Sequence, residues 1–336
     1  MIIRKHRLIL RKTLKENFNF MKKKSIMVLG ANGFLGKNFI KFVSENHLFS
    51  VVYKVDNKGL SKKKKENFFK CDIIERKELK KLLKQTRPDY IFHFAGLTNS
   101  SEWKEFYEAN VETTCSLFDS VQSIYNYKPR IIIAGSAAEY GQVMSDSLPI
   151  KEDSMLNPNS KYGVSMVWRY YAAKFFYNCG LEVISCRIFN ILGPGLPENL
   201  SIASFVKQIV DIERGKTKPF ISTGNLTTKR DFLDVSDIVN AVLLSGLKGK
   251  SGESYNICSG KSEYIKKILF FCIKHSKVKN LKIRINKIKI RKFDIADIYG
   301  SNVKITRNLG WKQKVSLEES IIRTLNYYRN IGKHEK

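Results

Sequence analysis

The stretch SIMVLGANGFLGKNF, residues 25–39, decides the fold, because an apolar run is followed at once by a glycine-rich turn and a helix-compatible segment. Residues 25–29 predict a short buried strand, and residues 37–46 predict a helix. Glycines at positions 30, 33 and 36 permit a tight turn and let a pyrophosphate approach the backbone at the start of the helix. This order predicts a dinucleotide-binding turn, although the GxxGxxG spacing would also suit a tight turn without a ligand.

An acidic residue follows the second predicted strand, residues 50–55. Asp56 lies about twenty residues beyond the glycine turn, where a carboxylate can bind both hydroxyls of an adenosine ribose. This placement favours NAD over NADP. Lys58 and the lysines at 62–65 weaken the preference, because nearby cations could hold a 2′-phosphate; a solvated loop is the other interpretation of that lysine run.

Strand and helix patterns alternate through the first half of the chain. Further strands are predicted at 68–70, 88–96, 131–134 and 181–188, and helices at 75–85, 102–122 and from 161 onwards. The alternation predicts an α/β protein with a doubly wound parallel sheet over residues 25–188. It loosens afterwards, with helices expected at 202–214, 235–247 and 317–329 and strands at 254–257 and 281–285. We therefore expect a smaller C-terminal α/β lobe over residues 189–330, interleaved with the first.

Composition limits the other classes of protein. The 336 residues are 43% hydrophobic, which is enough to bury a sizeable core. The formal charge of +29 comes from lysines spread through the chain, so a compositional bias explains it better than a nucleic-acid surface. No apolar run approaches the roughly 18 residues that span a bilayer. The six cysteines form no CxxC pair, and no histidine lies at metal-ligand spacing, so we expect no metal site, no disulfide framework and a cytoplasmic protein.

The first 24 residues are basic and break up their only apolar cluster with charges. They do not read as a signal peptide. A basic amphipathic anchor is one interpretation, but we expect a disordered or over-annotated extension, because Met21 followed by KKKSIMVLG looks like a natural start.

Two hydroxyl groups mark the candidate chemistry. Ser136 comes at the carboxyl end of the predicted fifth strand, the edge at which open α/β sheets bind ligands. Tyr162 lies in the first turn of a predicted helix, after a loop rich in Ser, Asp, Asn and Pro. Met166 lies one helical turn beyond Tyr162 and on the same face, where the chemistry would favour a positive charge.

With these residues in place, the chain resembles the extended short-chain dehydrogenase/reductase family of nucleotide-sugar epimerases, dehydratases and reductases, from about Ser25 to Tyr328. Within that family the likeness is greatest to the branch that reduces GDP-linked 4-keto-6-deoxy-D-mannose. The segments that carry it, in order, are FHFAGLT, EYGQVMSDSLPIKED, FNILGPG, RDFLDVSDIVNA and GESYNICSG.

The resemblance implies a Rossmann-type fold, a nicotinamide cofactor, NAD(H) or NADP(H), a homodimer and a place in cell-surface polysaccharide sugar biosynthesis. It implies catalysis by Ser136 and Tyr162, with Met166 in place of the family lysine of the YxxxK motif. The residues implied to bind the cofactor are Gly30, Gly33, Phe34, Leu35, Gly36, Asp56, Asp72, Ala95 and Gly96. Those implied to bind the nucleotide sugar are Asn190, Arg230 and Arg291; for Arg230 a structural salt bridge with Asp231 or Asp234 is the other interpretation.

Met166 bears on the direction of the reaction. Without a neighbouring cation, a tyrosine of pKa ~10 is ionised only to about one part in a thousand at pH 7. Oxidation of a sugar hydroxyl needs tyrosinate as a base, whereas reduction of a keto sugar needs the neutral phenol as a proton donor. Lys161 points about 100° away around the helix, and Arg169 lies a further turn on, so neither is expected to replace the lysine.

The residues after Ser136 argue against a dehydratase. The resemblance implies that the dehydratases carry an acid two or three positions beyond the catalytic serine, and here those positions hold Ala137 and Ala138, with Glu139 one residue too late. We therefore expect reduction of the 4-keto group of a nucleotide-linked, GDP-type 4-keto-6-deoxy sugar. An epimerase of the same fold and a nucleotide-sugar or NAD-binding protein impaired by Met166 are the alternatives.

Overall fold

Strand β1, Ser25–Leu29, occupies an inner position in a seven-stranded parallel sheet. The computed structural model describes residues 23–59, 66–198, 200–290 and 294–331. β1 pairs in parallel with β2, Val51–Asp56, on one side and with β4, Tyr90–His93, on the other. The remaining strands are β3 (Phe68–Lys70), β5 (Arg130–Ser136), β6 (Glu182–Ile188) and β11 (Ser254–Ile257).

The strand order is β11-β6-β5-β4-β1-β2-β3. Read from β3, it follows the 3-2-1-4-5-6 order of doubly wound dinucleotide-binding sheets, with a seventh strand added after β6. The predicted fold class is confirmed. The inner strands are apolar on both faces, as parallel strands covered by helices must be: four of the five residues of β1 are buried.

The chain divides into two units, residues 1–133 with 172–183, and residues 134–171 with 184–336. In the first unit the helices are α1 (Phe34–Glu45), α2 (Arg76–Thr86), α3 (Trp103–Phe106) and α4 (Thr113–Gln122). A π-helical segment, Tyr107–Glu112, joins α3 to α4, so the helix predicted at 102–122 is interrupted. The core of this unit packs residues of β1 and α2 against Leu117 and Phe118 of α4.

The second unit carries the remaining helices and short strands. Its helices are α5 (Lys161–Asn178, whose last seven residues belong to the first unit), α6 (Ser201–Glu213), α7 (Val235–Lys248), α8 (Ile265–Lys274), α9 (Val303–Leu309) and α10 (Leu317–Ile331). Its short strands are β7 (Asn190–Leu192), β8 (Phe220–Thr223), β9 (Lys229–Arg230), β10 (Phe232–Asp234), β12 (Glu263–Tyr264), β13 (Lys282–Ile285) and β14 (Asp297–Ile298). The sequence patterns did not predict α8 or α9.

Helix α7 begins at a side-chain cap. Asp234 accepts a hydrogen bond from the Ser236 amide at 2.8 Å, and most of the helix that follows is buried. Across the described ranges, no helix is long and apolar enough to cross a membrane. Most of the N-terminal extension predicted for residues 1–24 lies outside those ranges.

Candidate active site

The glycine turn after β1 has a geometry that only glycine fits. Gly30 adopts φ +79°, and a Cβ there would lie 2.5 Å from the backbone nitrogen of Ala95. A Cβ at Gly36 would collide with the carbonyl oxygen of Gly30. The turn is closed by a hydrogen bond from the Gly33 amide to the Gly30 carbonyl at 3.1 Å. The first predicted glycine is thus needed for backbone conformation and close approach, and the third for packing of helix against strand.

Helix α1 starts without a side-chain cap. Its N-cap residue is Gly33, which has no side chain to cap the helix. The amides of Phe34, Leu35 and Gly36 therefore form a first turn that has no intrahelical acceptor. Such a turn favours an anion, because the amides and the helix dipole point the same way. These residues fit the pyrophosphate of a dinucleotide.

Asp56 is held in place beside the glycine turn. Its two carboxylate oxygens accept the Asn32 amide at 2.9 Å and the Lys58 amide at 3.1 Å, and its side chain is almost fully buried. These bonds leave carboxylate lone pairs for a ribose. Asp72 is exposed and accepts the Ile74 amide at 3.1 Å. The lysines at 62–65 lie outside the described residues.

The loop after β4 is fixed by a residue that the sequence analysis missed. Asn110, buried in the π-helical segment, accepts the Leu97 amide at 2.8 Å and donates to the Leu97 carbonyl at 2.9 Å. These two bonds anchor the chain next to Ala95 and Gly96. π-Helical turns often occur at functional sites, but nothing in the local sequence marks this one. His93, the last residue of β4, is fully buried, and its ring forms a hydrogen bond with the Thr114 hydroxyl.

In the second unit, Ser136 ends β5 and caps a short 3₁₀ helix, Ala137–Glu139. Its hydroxyl accepts the Ala138 amide at 3.1 Å, and its own amide donates to Glu139 Oε1 at 2.8 Å. The hydroxyl therefore keeps its hydrogen for another acceptor.

The Ser136 hydroxyl also forms a side-chain hydrogen bond with Tyr162. The contact depends on Gly163, because a Cβ at that position would lie 2.5 Å from the Ala138 carbonyl oxygen. The first turn of α5 can thus pack directly on the 3₁₀ turn. The predicted pairing of Ser136 with Tyr162 is present in the structure, and Gly163, which the sequence analysis did not single out, makes it possible.

The surroundings keep the Tyr162 phenol neutral. Burial raises the pKa of Tyr162 above its ordinary value; the hydrogen bond with Ser136 and the charge of Arg169 oppose this, and Glu139 adds to it. Met166 is buried, with 3% of its surface exposed, and its thioether brings no charge. At neutral pH the side chain is a proton donor rather than a base.

Glu139 is committed to the structure. Both Glu139 and Arg187 have 1% of their side chains exposed, and Arg187 Nε donates to Glu139 Oε2 at 2.7 Å. Arg187 also donates to the Tyr140 hydroxyl at 3.0 Å and to the Glu152 carbonyl at 2.8 Å. Burial lowers the pKa of Arg187, but Glu139 and Tyr140 outweigh it, so the net pKa is raised. Glu139 therefore holds the Ser136 backbone and a buried cation.

Two of the predicted sugar-binding residues, Asn190 on β7 and Arg230 on β9, lie in the second unit. Asn190 donates from its side chain to the Asp231 carbonyl at 2.9 Å. Arg230 pairs with Asp294 at 2.5 Å and donates to the Ile295 carbonyl, rather than pairing with Asp231 or Asp234. Asp231 is fully buried and instead accepts amides of Ser259, Gly260 and Gly300. Arg291 lies outside the described residues.

A glycine turn of this geometry and a Ser–Tyr pair, on a sheet of this order, define a Rossmann-type protein of the extended short-chain dehydrogenase/reductase class. Residues 27–324 match the family model described as GDP-mannose 4,6 dehydratase. The chain therefore belongs to this family, whose members are nucleotide-sugar oxidoreductases, epimerases and dehydratases.

Similar proteins differ in the reaction named for them. The chain is 25% identical to a GDP-6-deoxy-D-mannose reductase of Pseudomonas aeruginosa over 315 residues, which cover 92% of this chain and 99% of the relative. It is 27% identical to a UDP-glucose 4-epimerase of Mycoplasma genitalium, covering 92% and 97%. Among solved structures, that of RMD from Pseudomonas aeruginosa complexed with NADPH superposes with a TM-score of 0.81 at 24% identity, covering 92% of this chain and all of that one.

Proposed function

We propose that the protein reduces the 4-keto group of a nucleotide-linked 4-keto-6-deoxy sugar, of the GDP type, with a reduced nicotinamide cofactor. The observation that carries the proposal is the Ser136–Tyr162 pair with a buried Met166 beside it. In this pair the phenol is held neutral, and a neutral phenol suits the protonation of a new alkoxide. The similarity to a GDP-6-deoxy-D-mannose reductase supports the choice of sugar.

In the proposed reaction each residue has a defined role. The nicotinamide, held by the glycine turn and Asp56, would supply a hydride to carbon 4 of the sugar. The Ser136 hydroxyl would exchange its hydrogen bond with Tyr162 for one to the carbonyl oxygen, and Tyr162 would transfer its proton to that oxygen. A proton from solvent would then restore the Tyr162 phenol. Asn190 and Arg230, with Arg291, would hold the nucleotide end of the substrate.

The environment of Glu139 argues against dehydration. Elimination needs a carboxyl group that can exchange protons with the sugar, and Ala137 and Ala138 cannot. Glu139 is turned inward, and each of its oxygens already accepts a hydrogen bond, one from Ser136 and one from Arg187. On this proposal the chain shares the fold of the family but does not carry out the elimination named in the family description.

We propose that residues 25–188 mainly bind the cofactor and residues 189–330 mainly the nucleotide sugar. NAD(H) is preferred slightly over NADP(H), because Asp56 would repel a 2′-phosphate; the NADPH bound to the similar RMD structure argues that both be tested. Titration of intrinsic fluorescence with NADH and NADPH measures the preference. Asp56→Asn should weaken NADH binding about tenfold or more through loss of charge-assisted hydrogen bonds, and should spare NADPH. Equal loss for both cofactors would contradict the assignment.

The activity test combines the purified protein with reduced cofactor and freshly generated GDP-4-keto-6-deoxymannose. Loss of absorbance at 340 nm with formation of the 6-deoxy sugar is expected, and Tyr162→Phe should abolish it. Tyr125→Phe is the matched control, because it removes the hydroxyl of a tyrosine that is 94% exposed and should leave turnover unchanged. Altered sugar without net consumption of cofactor would identify an epimerase instead. Binding of both ligands without reaction would identify an impaired binding protein.

We also propose that the protein is a homodimer through α5. Trp168, Tyr171 and Phe175 follow one another at helical spacing, and 57–61% of each is exposed. Three large aromatic side chains on one exposed helix face are more than a monomer usually leaves in water. Trp103 and Tyr107 add exposed aromatic surface on α3 and the segment after it.

A further inference from the structure

Arg169 is a buried cation on the same helix as Tyr162. It lies seven residues further along α5, so the two Cα atoms are only about 20° apart around the helix axis and about 10 Å apart along it. Helical side chains lean towards the N-terminus, which carries the long arginine side chain back in the direction of Tyr162. Only 2% of Arg169 is exposed. A cation this well shielded from water acts over a longer distance than a surface lysine does.

Among the described residues, the charges of Arg169 and Glu139 act on the pKa of Tyr162, and Ser136 is a neutral hydrogen-bond partner. Glu139 Oε1 accepts the Ser136 amide, and Oε2 accepts Arg187 Nε, so each carboxylate oxygen has its own short contact. Burial lowers the pKa of Arg169, Tyr162 and Glu139 partly offset this, and the resulting pKa of about 10 leaves the guanidinium charged at neutral pH.

We propose that Arg169, acting from two turns along α5, supplies the positive charge that stabilises the Tyr162 phenolate, in place of a lysine at position 166. Arg169 touches neither substrate nor cofactor in this proposal and is a positioning residue that acts through Tyr162. The proposal rests on the proposed function for its purpose, because a phenolate forms when Tyr162 gives its proton to the sugar oxygen. Water then protonates the phenolate, and no other reactant is needed.

A cation at position 169 lowers the pKa of Tyr162 less than an adjacent lysine would, because it lies further away. At the roughly 10 Å that separates positions 162 and 169 along the helix axis, a charge shifts a pKa by about one unit at an effective dielectric constant of about 20, whereas a contact at about 4–6 Å shifts it by one to three units. The resting tyrosine therefore stays protonated, while the phenolate left after proton transfer is still met by a cation. Arg169 would lower the cost of reduction without turning Tyr162 into a base.

The test measures the ionisation of Tyr162 directly. Fluorotyrosine, which titrates at lower pH than tyrosine, is incorporated at position 162, and its ¹⁹F resonance is followed against pH without substrate. Arg169→Met should raise the phenol pKa by about one unit, a tenfold loss of phenolate at a given pH. Arg169→Lys should keep it within a few tenths of a unit. The double variant Met166→Lys, Arg169→Met, which moves the charge to the nearer position, should bring the pKa to or below that of the unaltered protein.

Lys161→Met is the matched control, because it removes one charge from an exposed side chain next to Tyr162 in sequence. It should shift the pKa much less than Arg169→Met. If Arg169→Met does not fold, judged by circular dichroism, Arg169→Gln replaces it. A shift for the Arg169 variants no larger than for Lys161→Met overturns the proposal. Since no sugar is present, this result is independent of whether the protein reduces a keto sugar.

Discussion

Removal of the Arg187 side chain tests the central role of the buried Glu139–Arg187 pair. Arg187→Met keeps the apolar stem but loses three hydrogen bonds, to Glu139, Tyr140 and the Glu152 carbonyl, of 2.7, 3.0 and 2.8 Å. The guanidinium also lies over the rings of Tyr140 and Tyr170, at 4.9 and 4.4 Å from their centroids. The substitution leaves Glu139 with 1% of its side chain exposed and without its cation.

Breaking a buried ion pair by removing one partner costs about 3–5 kcal/mol, chiefly because the remaining charge stays out of water. We expect that loss in the free energy of unfolding measured in urea. The double variant Arg187→Met, Glu139→Gln should recover part of it, because the amide carbonyl can still accept the Ser136 amide while no charge remains. We also expect turnover to fall in the single variant, because Glu139 fixes the backbone of Ser136.

A surface pair serves as the matched control. Arg76 contacts Asp119 at 3.0 Å, with 52% and 39% of the two side chains exposed, and Glu112 at 3.1 Å, so Arg76→Met should cost less than about 1 kcal/mol. If Arg187→Met costs no more than this control, the pair does not hold Glu139. Glu139 would then be free to act as an acid, and the argument against dehydration would fail.

Three further outcomes are expected. Gly30→Ala should abolish dinucleotide binding in a fluorescence titration, because the new Cβ would lie 2.5 Å from the backbone nitrogen of Ala95. Gly180→Ala is the control, since Gly180 also has a positive φ, +91°, but a Cβ there would have nothing within 4 Å. This variant should bind normally and lose only about 1 kcal/mol of stability. Trp168→Glu should convert a dimer to a monomer in analytical ultracentrifugation. Tyr125→Glu should not, because Tyr125 is an aromatic residue outside α5 that is 94% exposed. An unchanged mass for Trp168→Glu would exclude the α5 interface. Because the pKa of Tyr162 is raised, its proton-donating form persists as the pH rises. The reduction rate should therefore stay level from about pH 6 to 9, while the rate of the reverse oxidation increases. A fall in the reduction rate within that range would contradict the assignment.

The sequence was sufficient for the sheet because strands, glycines and helices are local signals. Periodicity and turn chemistry act over a few residues, and the 3-2-1-4-5-6 order follows from their alternation. The contacts that complete the site are not local. The Asn110 clamp on Leu97 depends on a π-helical turn inside a segment that reads as an ordinary helix. The approach of Gly163 to Ala138 depends on how α5 packs, which spacing alone does not give.

Arg169 illustrates the same limit from the opposite side. Counting turns of the helix sets it aside as too far from Tyr162, because the count treats all positions as equally solvated. Burial reverses that judgement, since the reach of a charge depends on the medium around it as much as on distance. Residues that act by electrostatics are therefore the ones that sequence spacing is least able to identify.

Under the proposed function, two departures from the family pattern both favour reduction. Met166 brings no charge to the position of the family lysine. Making tyrosinate abundant at neutral pH needs a shift of about three pKa units, which corresponds to about 4 kcal/mol that a methionine does not supply. Glu139, the one carboxylate near Ser136 in sequence, is held by Arg187. Oxidation would need a cation beside Tyr162, and elimination would need a carboxyl group that is free to exchange protons. Reduction needs neither, because a neutral phenol and a serine hydroxyl are sufficient once the hydride is delivered.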